Sequence, residues 1–199
     1  QGAVDAEGLT RVVAAMAAHP QHAAVQASAC GALAVIAAGT DAAAAQRQQG
    51  VVDAGGLTRV VAAMAAHPQN TAVQGKGCLA LAMIATGTDA AVAMHRQAVI
   101  DAEGLTRVVA AMAAHPQDTA VQARACEVLA AIATGTDAAA AMCKQAVIDA
   151  GGLMSVVAAM AAHPQVTAVQ ARGSLALEGL HSLAFAAMAA HPQDTTVQA

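Results

Sequence analysis

Residues 101–148 read DAEGLTRVVAAMAAHPQDTAVQARACEVLAAIATGTDAAAAMCKQAVI, and close copies of this stretch fill most of the chain. The copies begin at Asp5, Asp53, Asp101 and Asp149, so the period is 48 residues. A fixed period of this length is typical of repeat arrays in which each unit packs only against its neighbours. The sequence therefore predicts a stack of similar units.

Each copy carries three helical patterns separated by stop signals. In the third copy, apolar residues at helical spacing mark two faces, which are Leu105, Val108, Val109 and Met112, then Val121, Ala125, Val128, Leu129 and Ile132. Pro116 ends the first helix because its ring removes a donor and clashes with the preceding turn. Gly135 ends the second helix, and Thr136 or Asp137 caps a third, alanine-rich helix that reaches about Ile148. The chain is predicted to be all-α, with three closely packed helices per copy.

A capping signal stands at the start of the second helix of most copies. In the capping box, a Thr hydroxyl accepts from the third amide of the helix, and a Gln side chain reaches back to the backbone amide of that Thr. The matching pairs are Thr71 with Gln74, Thr119 with Gln122, Thr167 with Gln170, and Thr195 with Gln198. The pattern predicts that each glutamine binds the start of its own helix.

The copies are predicted to form one array over residues 1–199. It divides into full repeats at 5–52, 53–100 and 101–148, a partial repeat at 149–180, and a degenerate, truncated repeat at 181–199. In the last segment His-Pro-Gln returns after 28 residues, so the Gly-Thr-Asp helix is missing there. The chain starts partway through a repeat and neither end resembles a polar capping repeat, so we expect it to be part of a longer protein.

Composition excludes several functional classes. Hydrophobic residues make up 57% of the chain, but polar signals interrupt every apolar run well before the about 20 residues of a membrane span. Charged residues are only 11% and the net charge is −4, which argues against a nucleic-acid partner. Aromatic residues are 1%, so the core must consist of aliphatic side chains and alanine.

Three of the four cysteines share one position in successive repeats. Cys30, Cys78 and Cys126 are predicted to lie about 8–10 Å apart, the spacing of packed helices. A disulfide needs Cα atoms within about 7 Å. We therefore expect small buried thiols, which favours a reducing compartment, and Cys143 as a separate free thiol.

The sequence offers no site for catalysis, a metal or a cofactor. His19, His67, His115 and His163 occupy one position in four different repeats, too far apart to share one zinc ion. They are interpreted instead as residues at helix C-termini, where the ring meets carbonyls without helical partners. The carboxylates are dispersed rather than paired, so general acid–base chemistry is not expected.

The repeat resembles the armadillo repeat, with HEAT-type repeats as the alternative. The resemblance covers essentially the whole chain and is carried by QAVIDA at 97–102, by the Gly-Leu helix that follows, and by VQARACEVLAAIA at 121–133. It implies a right-handed α-solenoid of three-helix repeats. It also implies that the helix after each His-Pro-Gln lines a concave groove that binds a partner.

The groove implied by the resemblance lacks the residues with which such proteins hold an extended peptide. The positions of the expected Trp are Gly31, Leu79, Glu127 and Leu175, and those of the expected Asn are Val35, Met83, Ala131 and Gly179. The predicted groove is therefore shallow, apolar and edged with cations, which suits an amphipathic helix or a flat protein face. Candidate partner-binding residues are Lys76, Leu79, Met83, Arg124, Glu127, Arg172 and Leu175.

Two functions remain open from the sequence. The first is a non-enzymatic scaffold that binds another protein through the concave face. The second is a structural linker subunit within a large multi-protein assembly, with its whole surface in contact. Low charge and nearly identical repeats favour the second, because large apolar surfaces mark interaction sites.

Overall fold

A computed structural model describes residues 2–39, 42–87 and 91–190, with side chains at 7–39, 43–87 and 91–181. These residues form eleven helices and no strand, which confirms the all-α prediction. The helices are α1 (Gly2–Ala18), α2 (Ala23–Ala37), α3 (Ala42–Asp53), α4 (Gly56–Ala66), α5 (Thr71–Ala85), α6 (Val92–Asp101), α7 (Gly104–Ala114), α8 (Thr119–Ile132), α9 (Ala138–Asp149), α10 (Gly152–Ala162) and α11 (Thr167–Ala190).

Equivalent helices of successive repeats pack against one another and form three rows. Row one contains α1, α4, α7 and α10, row two contains α2, α5, α8 and α11, and row three contains α3, α6 and α9. Row two has the most extensive contacts, because small side chains let its helices approach closely. The described chain therefore has a helical, repeat-like architecture.

The helices end and begin near the expected signals. α4, α7 and α10 each end two residues before a proline of a His-Pro-Gln turn. Gly135 lies beyond the end of α8 with φ of +111°, a backbone conformation that favours glycine. Of the two candidate caps for α9, Asp137 is the one used: its carboxylate accepts from the Ala140 amide at 2.7 Å.

The capping-box prediction is wrong. The caps of α5 and α8 are the residues one position earlier: Asn70 accepts from the Val73 amide at 3.0 Å, and Asp118 accepts from the Val121 amide at 3.0 Å. The Thr residues at 71, 119 and 167 are the first residues of their helices. The pair Thr195 and Gln198 lies outside the described residues.

The glutamines of the supposed capping boxes bind the end of the preceding row-one helix instead. Gln122 donates from Nε2 to the carbonyls of Met112 and His115, both at 2.9 Å. The same pair of bonds is made by Gln26, Gln74 and Gln170. The last carbonyls of a helix have no helical donor, so these amides supply the missing partners and fasten row one to row two.

A second set of polar side chains, at one position of row three, fastens the ends of row-two helices. Gln48 donates to the carbonyls of Ala37, Met83 and Thr86 at 2.8–3.2 Å. Arg96 donates to the carbonyls of Ala85 and Thr134 at 3.2 and 2.8 Å, and Lys144 donates to that of Gly135 at 2.6 Å. Gln48 and Arg96 each join the row-two helices of two neighbouring repeats, and burial lowers the pKa of Arg96.

The cysteines are buried free thiols, as predicted. Cys30, Cys78 and Cys126 are 0% exposed in row two. Burial raises their pKa values to about 12, 12 and 11, because a thiolate loses its hydration there. Cys143 is also buried, in row three, and burial raises its pKa.

Helix length and apolarity bear on the possibility of a membrane span. Among the helices of the described ranges, none is by itself long and apolar enough to cross a membrane. α9 and α10 meet the length and composition only as a pair, and the pair is bent by 64°.

Candidate partner-binding surface

All seven candidate partner-binding residues lie on row two. Lys76, Leu79 and Met83 belong to α5, Arg124 and Glu127 to α8, and Arg172 and Leu175 to α11. These helices are direct neighbours in the stack. We call the outward side of row two that carries these residues, together with Val35 of α2, the row-two face.

The charged residues of the row-two face form a cluster across two repeats. Oε2 of Glu127 accepts from Nη1 of Arg124 at 2.8 Å and pairs with Nε of Arg172 at 3.1 Å. All three side chains are about one quarter to one third exposed. Two guanidinium groups share one carboxylate, so the cluster carries one net positive charge. Lys76 on α5 is exposed and adds a second positive charge to the row-two face.

The apolar residues of the row-two face differ in their exposure. Leu79 and Met83 are half-buried and pack against the core, so much of their surface supports the stack. Leu175 is 58% exposed, and Val35 is 76% exposed. Val35 was not among the candidate residues. Its position is occupied by half-buried residues in the later repeats, so only the structure reveals its exposure.

A cavity of about 390 Å³ opens at one end of the row-two face, between α8, α9 and α11. Its lining includes the candidate residues Glu127 and Leu175, together with Thr134, Lys144 and Glu178. Sequence reasoning missed Thr134 and Lys144, because they lie outside the row-two helical pattern and enter the cavity only through packing.

A second cavity of about 420 Å³ lies between α7 and α10 on row one. It is mostly apolar and lined in part by Met112, Pro116, Met154 and Ala158. Earlier repeats have a Thr-Arg pair where the fourth has Met154 and Ser155, so a serine stands at this lining position instead of an arginine. Met154 is 70% exposed.

The histidines of His-Pro-Gln connect successive repeats. Nε2 of His67, His115 and His163 lies 2.8, 2.7 and 2.8 Å from the carbonyl oxygens of Pro20, Pro68 and Pro116. A carbonyl only accepts, so Nε2 carries the proton and donates. The sequence predicted that each ring binds a carbonyl without a helical partner. The carbonyl that it binds belongs to the proline of the preceding repeat. In the part of the chain with described side chains, no group of three His, Cys, Asp or Glu residues is arranged to hold a metal ion.

Comparison of this chain with protein-family models, with curated proteins and with solved structures gives no match. A function therefore has to be argued from the surface of the molecule. The row-two face is where charge, exposed apolar area and a cavity meet.

Proposed function

We propose that this protein is a non-enzymatic scaffold that binds another protein through the row-two face. In this proposal the stack is an armadillo-type, right-handed α-solenoid, and row two lines its concave side. The packing of equivalent helices into three rows supports the solenoid. The seven candidate residues on adjacent row-two helices support the choice of face.

The observation that carries the proposal is the exposure of large apolar side chains beside a cationic cluster. Val35 and Leu175 are 76% and 58% exposed, at opposite ends of the row. Lys76 lies on α5, and the cluster of Arg124, Glu127 and Arg172 joins α8 to α11, the helix that carries Leu175. An amphipathic helix with an acidic edge would match this face, because its apolar side buries the aliphatic groups and its carboxylates meet the cations.

A second candidate function is a linker subunit enclosed in a large assembly. It is favoured by exposed apolar residues on the other two rows. Met94 and Met142 of row three are 63% and 69% exposed, and Met154 and Val157 of row one are 70% and 44% exposed. A protein contacted on every side would use all of them.

Site-specific photo-cross-linking in cells that make the protein separates the two functions. A photoreactive residue at Val35 or Leu175 samples the row-two face, and the same residue at Met94 or Met154 samples the other rows at similar exposure. The scaffold predicts one cross-linked protein from positions 35 and 175 and none from positions 94 and 154. Cross-links from all four positions support the linker, and cross-links from positions 94 and 154 alone contradict both.

Substitutions in the same face give the matched energetic test. Leu175→Glu introduces a charge where an apolar contact is proposed, so binding of the cross-linked protein weakens by about tenfold or more. Met154→Glu changes a residue of similar exposure on row one and leaves binding unchanged. Equal effects of the two variants would remove the row-two face from the proposal.

A further inference from the structure

Two cations of row two reach across a junction between repeats in the same way. Lys76 of α5 lies over Gly31 of α2: a Cβ on Gly31 would be 3.5 Å from Cδ and 3.9 Å from Cε of Lys76. Nε of Arg172, on α11, lies 3.1 Å from Oε2 of Glu127, on α8. Lys76 and Arg172 hold the same repeat position, and so do Gly31 and Glu127. The same two positions are therefore in contact at the junction of repeats one and two and at the junction of repeats three and four.

The contact between Gly31 and Lys76 lies inside the described stack. Gly31 belongs to the first repeat and Lys76 to the second, and α2 and α5 pack against each other. α5 also packs against α8, so the helix that carries Lys76 has a described neighbour on each side. Lys76 is nevertheless exposed, and this exposure does not arise at an end of the stack.

The two junctions differ in the group that the cation meets. Glu127 supplies a carboxylate to Arg172, and both side chains are less than one third exposed. Gly31 supplies no side chain to Lys76. Among the carboxylates whose side chains the structure describes, those that form ion pairs bind arginines, and none pairs with Lys76. The ammonium group of Lys76 therefore lacks the counter-charge that the equivalent guanidinium has.

Gly31 also leaves room for such a group. Apart from its own helix, the described atoms within 4 Å of a Cβ at Gly31 are the two carbons of Lys76, both at ordinary contact distance. The side chain of Glu127 occupies the equivalent place above α8. The junction of repeats one and two thus combines the cation and the open place of an ion pair whose carboxylate is missing.

We propose that the partner bound at the row-two face supplies this carboxylate, so that an Asp or Glu side chain of the partner lies over Gly31 and pairs with Lys76. The inference rests on the proposed function and specifies the partner's chemistry at one point. Charge complementarity favours an acidic group there, and Glu127 shows which group satisfies the equivalent cation. Leu79 lies one turn further along α5 and is half-buried, so an apolar residue of the partner borders its acidic one.

The first test uses this chain alone. Gly31→Glu installs the carboxylate of the equivalent position, and Gly31→Gln is its uncharged match, so both replace the same helical glycine. At low ionic strength Gly31→Glu is expected to unfold about 1 °C above Gly31→Gln, because an exposed ion pair is weak. In chains that also carry Lys76→Gln, this difference is expected to disappear.

The second test measures capture of the partner in cells, with a photoreactive residue at Leu175 as the probe. Lys76→Glu is expected to lower the yield of the cross-linked protein about tenfold, and Lys76→Gln about threefold, because the ion pair is reversed or removed. Gly31→Glu is also expected to lower it about tenfold, because the chain then supplies its own carboxylate to Lys76. Arg59→Glu makes the same charge change at an exposed cation of row one in the same repeat, and the yield is expected to stay unchanged.

The outcomes separate this inference from the proposed function. Equal unfolding temperatures for Gly31→Glu and Gly31→Gln would overturn the inference, because a carboxylate over α2 would then not reach an unpaired Lys76. Capture that is insensitive to Lys76→Glu, or equally sensitive to Arg59→Glu, would overturn it as well and leave the proposed function intact. A captured product of twice 19.4 kDa would identify a second copy of this chain instead of another protein. No capture from position 175 in the wild type would overturn the proposed function itself.

Discussion

The first three repeats and the fourth have closely related sequences, but their row-two helices end differently. α2, α5 and α8 have 15, 15 and 14 residues and end before a Gly-Thr-Asp sequence, whereas α11 has no such sequence after its first turns and has 24 residues. Gln48 and Arg96 bind the carbonyls at two such helix ends. Lys144 stands at the same position, but the neighbouring helix α11 does not end there, and a cavity opens instead.

The comparison extends to the layers between repeats. Cys30, Cys78 and Cys126 are enclosed by their neighbours, whereas Ser174 at the same position is exposed. The physical properties of one repeat position therefore depend on whether another repeat covers it. The following substitutions and conditions test that dependence, in order of decreasing effect.

The largest effect on stability is expected at alkaline pH, from the three buried thiols of row two. Their pKa values in the folded chain are about 12, 12 and 11, above the ordinary value of 9.0. The unfolded chain therefore loses these protons first. The contribution of these thiols to the free energy of unfolding is complete below pH 9. It decreases as the pH rises toward 11, by about 1.4 kcal/mol per pH unit for each thiol. Denaturant unfolding at several pH values measures the slope.

Two variants serve as controls for the thiol prediction. Cys78→Ala removes one of these contributions and is expected to reduce the slope by about 1.4 kcal/mol per pH unit. Ser174→Cys adds a thiol at the exposed position, which titrates alike in the folded and unfolded chain, so the slope does not change. A slope that is insensitive to Cys78→Ala would contradict the burial of this layer.

The next effect concerns a glycine that is crowded in the inner repeats and unhindered in the first. A Cβ on Gly104 would lie 2.7 Å from the Val99 carbonyl oxygen, so Gly104→Ala is expected to cost about 3 kcal/mol. Gly8 holds the same position in α1 with nothing within 4 Å, and Gly8→Ala is expected to stabilise the helix by about 0.5–1 kcal/mol. Thermal unfolding of both variants measures the difference, and equal destabilisation would contradict the packing of α6 against α7.

A smaller effect is expected where a buried cation joins two row-two helices. Arg96→Leu leaves the carbonyls of Ala85 and Thr134 without their donor, at a cost of about 2 kcal/mol. Arg96→Gln installs the residue that performs this role at Gln48 and is expected to recover at least half of the loss. Equal stabilities for the two variants would show that the hydrogen bonds contribute nothing.

The smallest effect on stability is expected at the turn that joins each row-three helix to the next row-one helix. Gly55 and Gly151 have φ of +75° and +80° there, and Glu103 has φ of +62° at the same position. A side chain in this conformation is strained by about 1 kcal/mol, so Glu103→Gly is expected to stabilise the chain by about that amount. The reverse change, Gly151→Glu, should destabilise it by a similar amount in chemical denaturation. Glu103 also pairs with Arg107, whose Nη2 lies 3.5 Å from Oε2 of Glu103. A loss of stability in Glu103→Gly would mean that this ion pair outweighs the strain.

The sequence predicted the helices well because their signals are local and repeated. Proline, the Gly-Thr-Asp sequence and the apolar spacing act within a few residues, and the first three repeats carry all of them. The capping box failed for a physical reason. Gln122 has the spacing from the start of α8 that the capping box requires. Its side-chain amide nevertheless binds the end of α7. The choice between these two partners depends on the packing of row two on row one.

The sequence predicted which helices carry the candidate residues, but not the ion pairs between those residues. Helical spacing places Arg124, Glu127 and Leu175 on one row, and Arg124 with Glu127 is an ordinary i, i+3 pair. The bond from Glu127 to Arg172 joins different repeats and depends on the offset between α8 and α11, which the sequence does not specify. The exposure of Val35 depends on how α2 packs against α5, and the position of Lys144 in the cavity depends on how α9 packs against α8 and α11.

The most direct test of the account is a distance between equivalent residues of neighbouring repeats. Met94 and Met142 lie 48 residues apart on α6 and α9 and are 63% and 69% exposed, so cysteines there accept spin labels while the buried, protonated native thiols do not. The account predicts helices about 8–10 Å apart and strong dipolar broadening in the electron paramagnetic resonance spectrum. A spectrum without broadening, as expected for a separation of about 20 Å or two helix diameters, would contradict the stacking of the repeats.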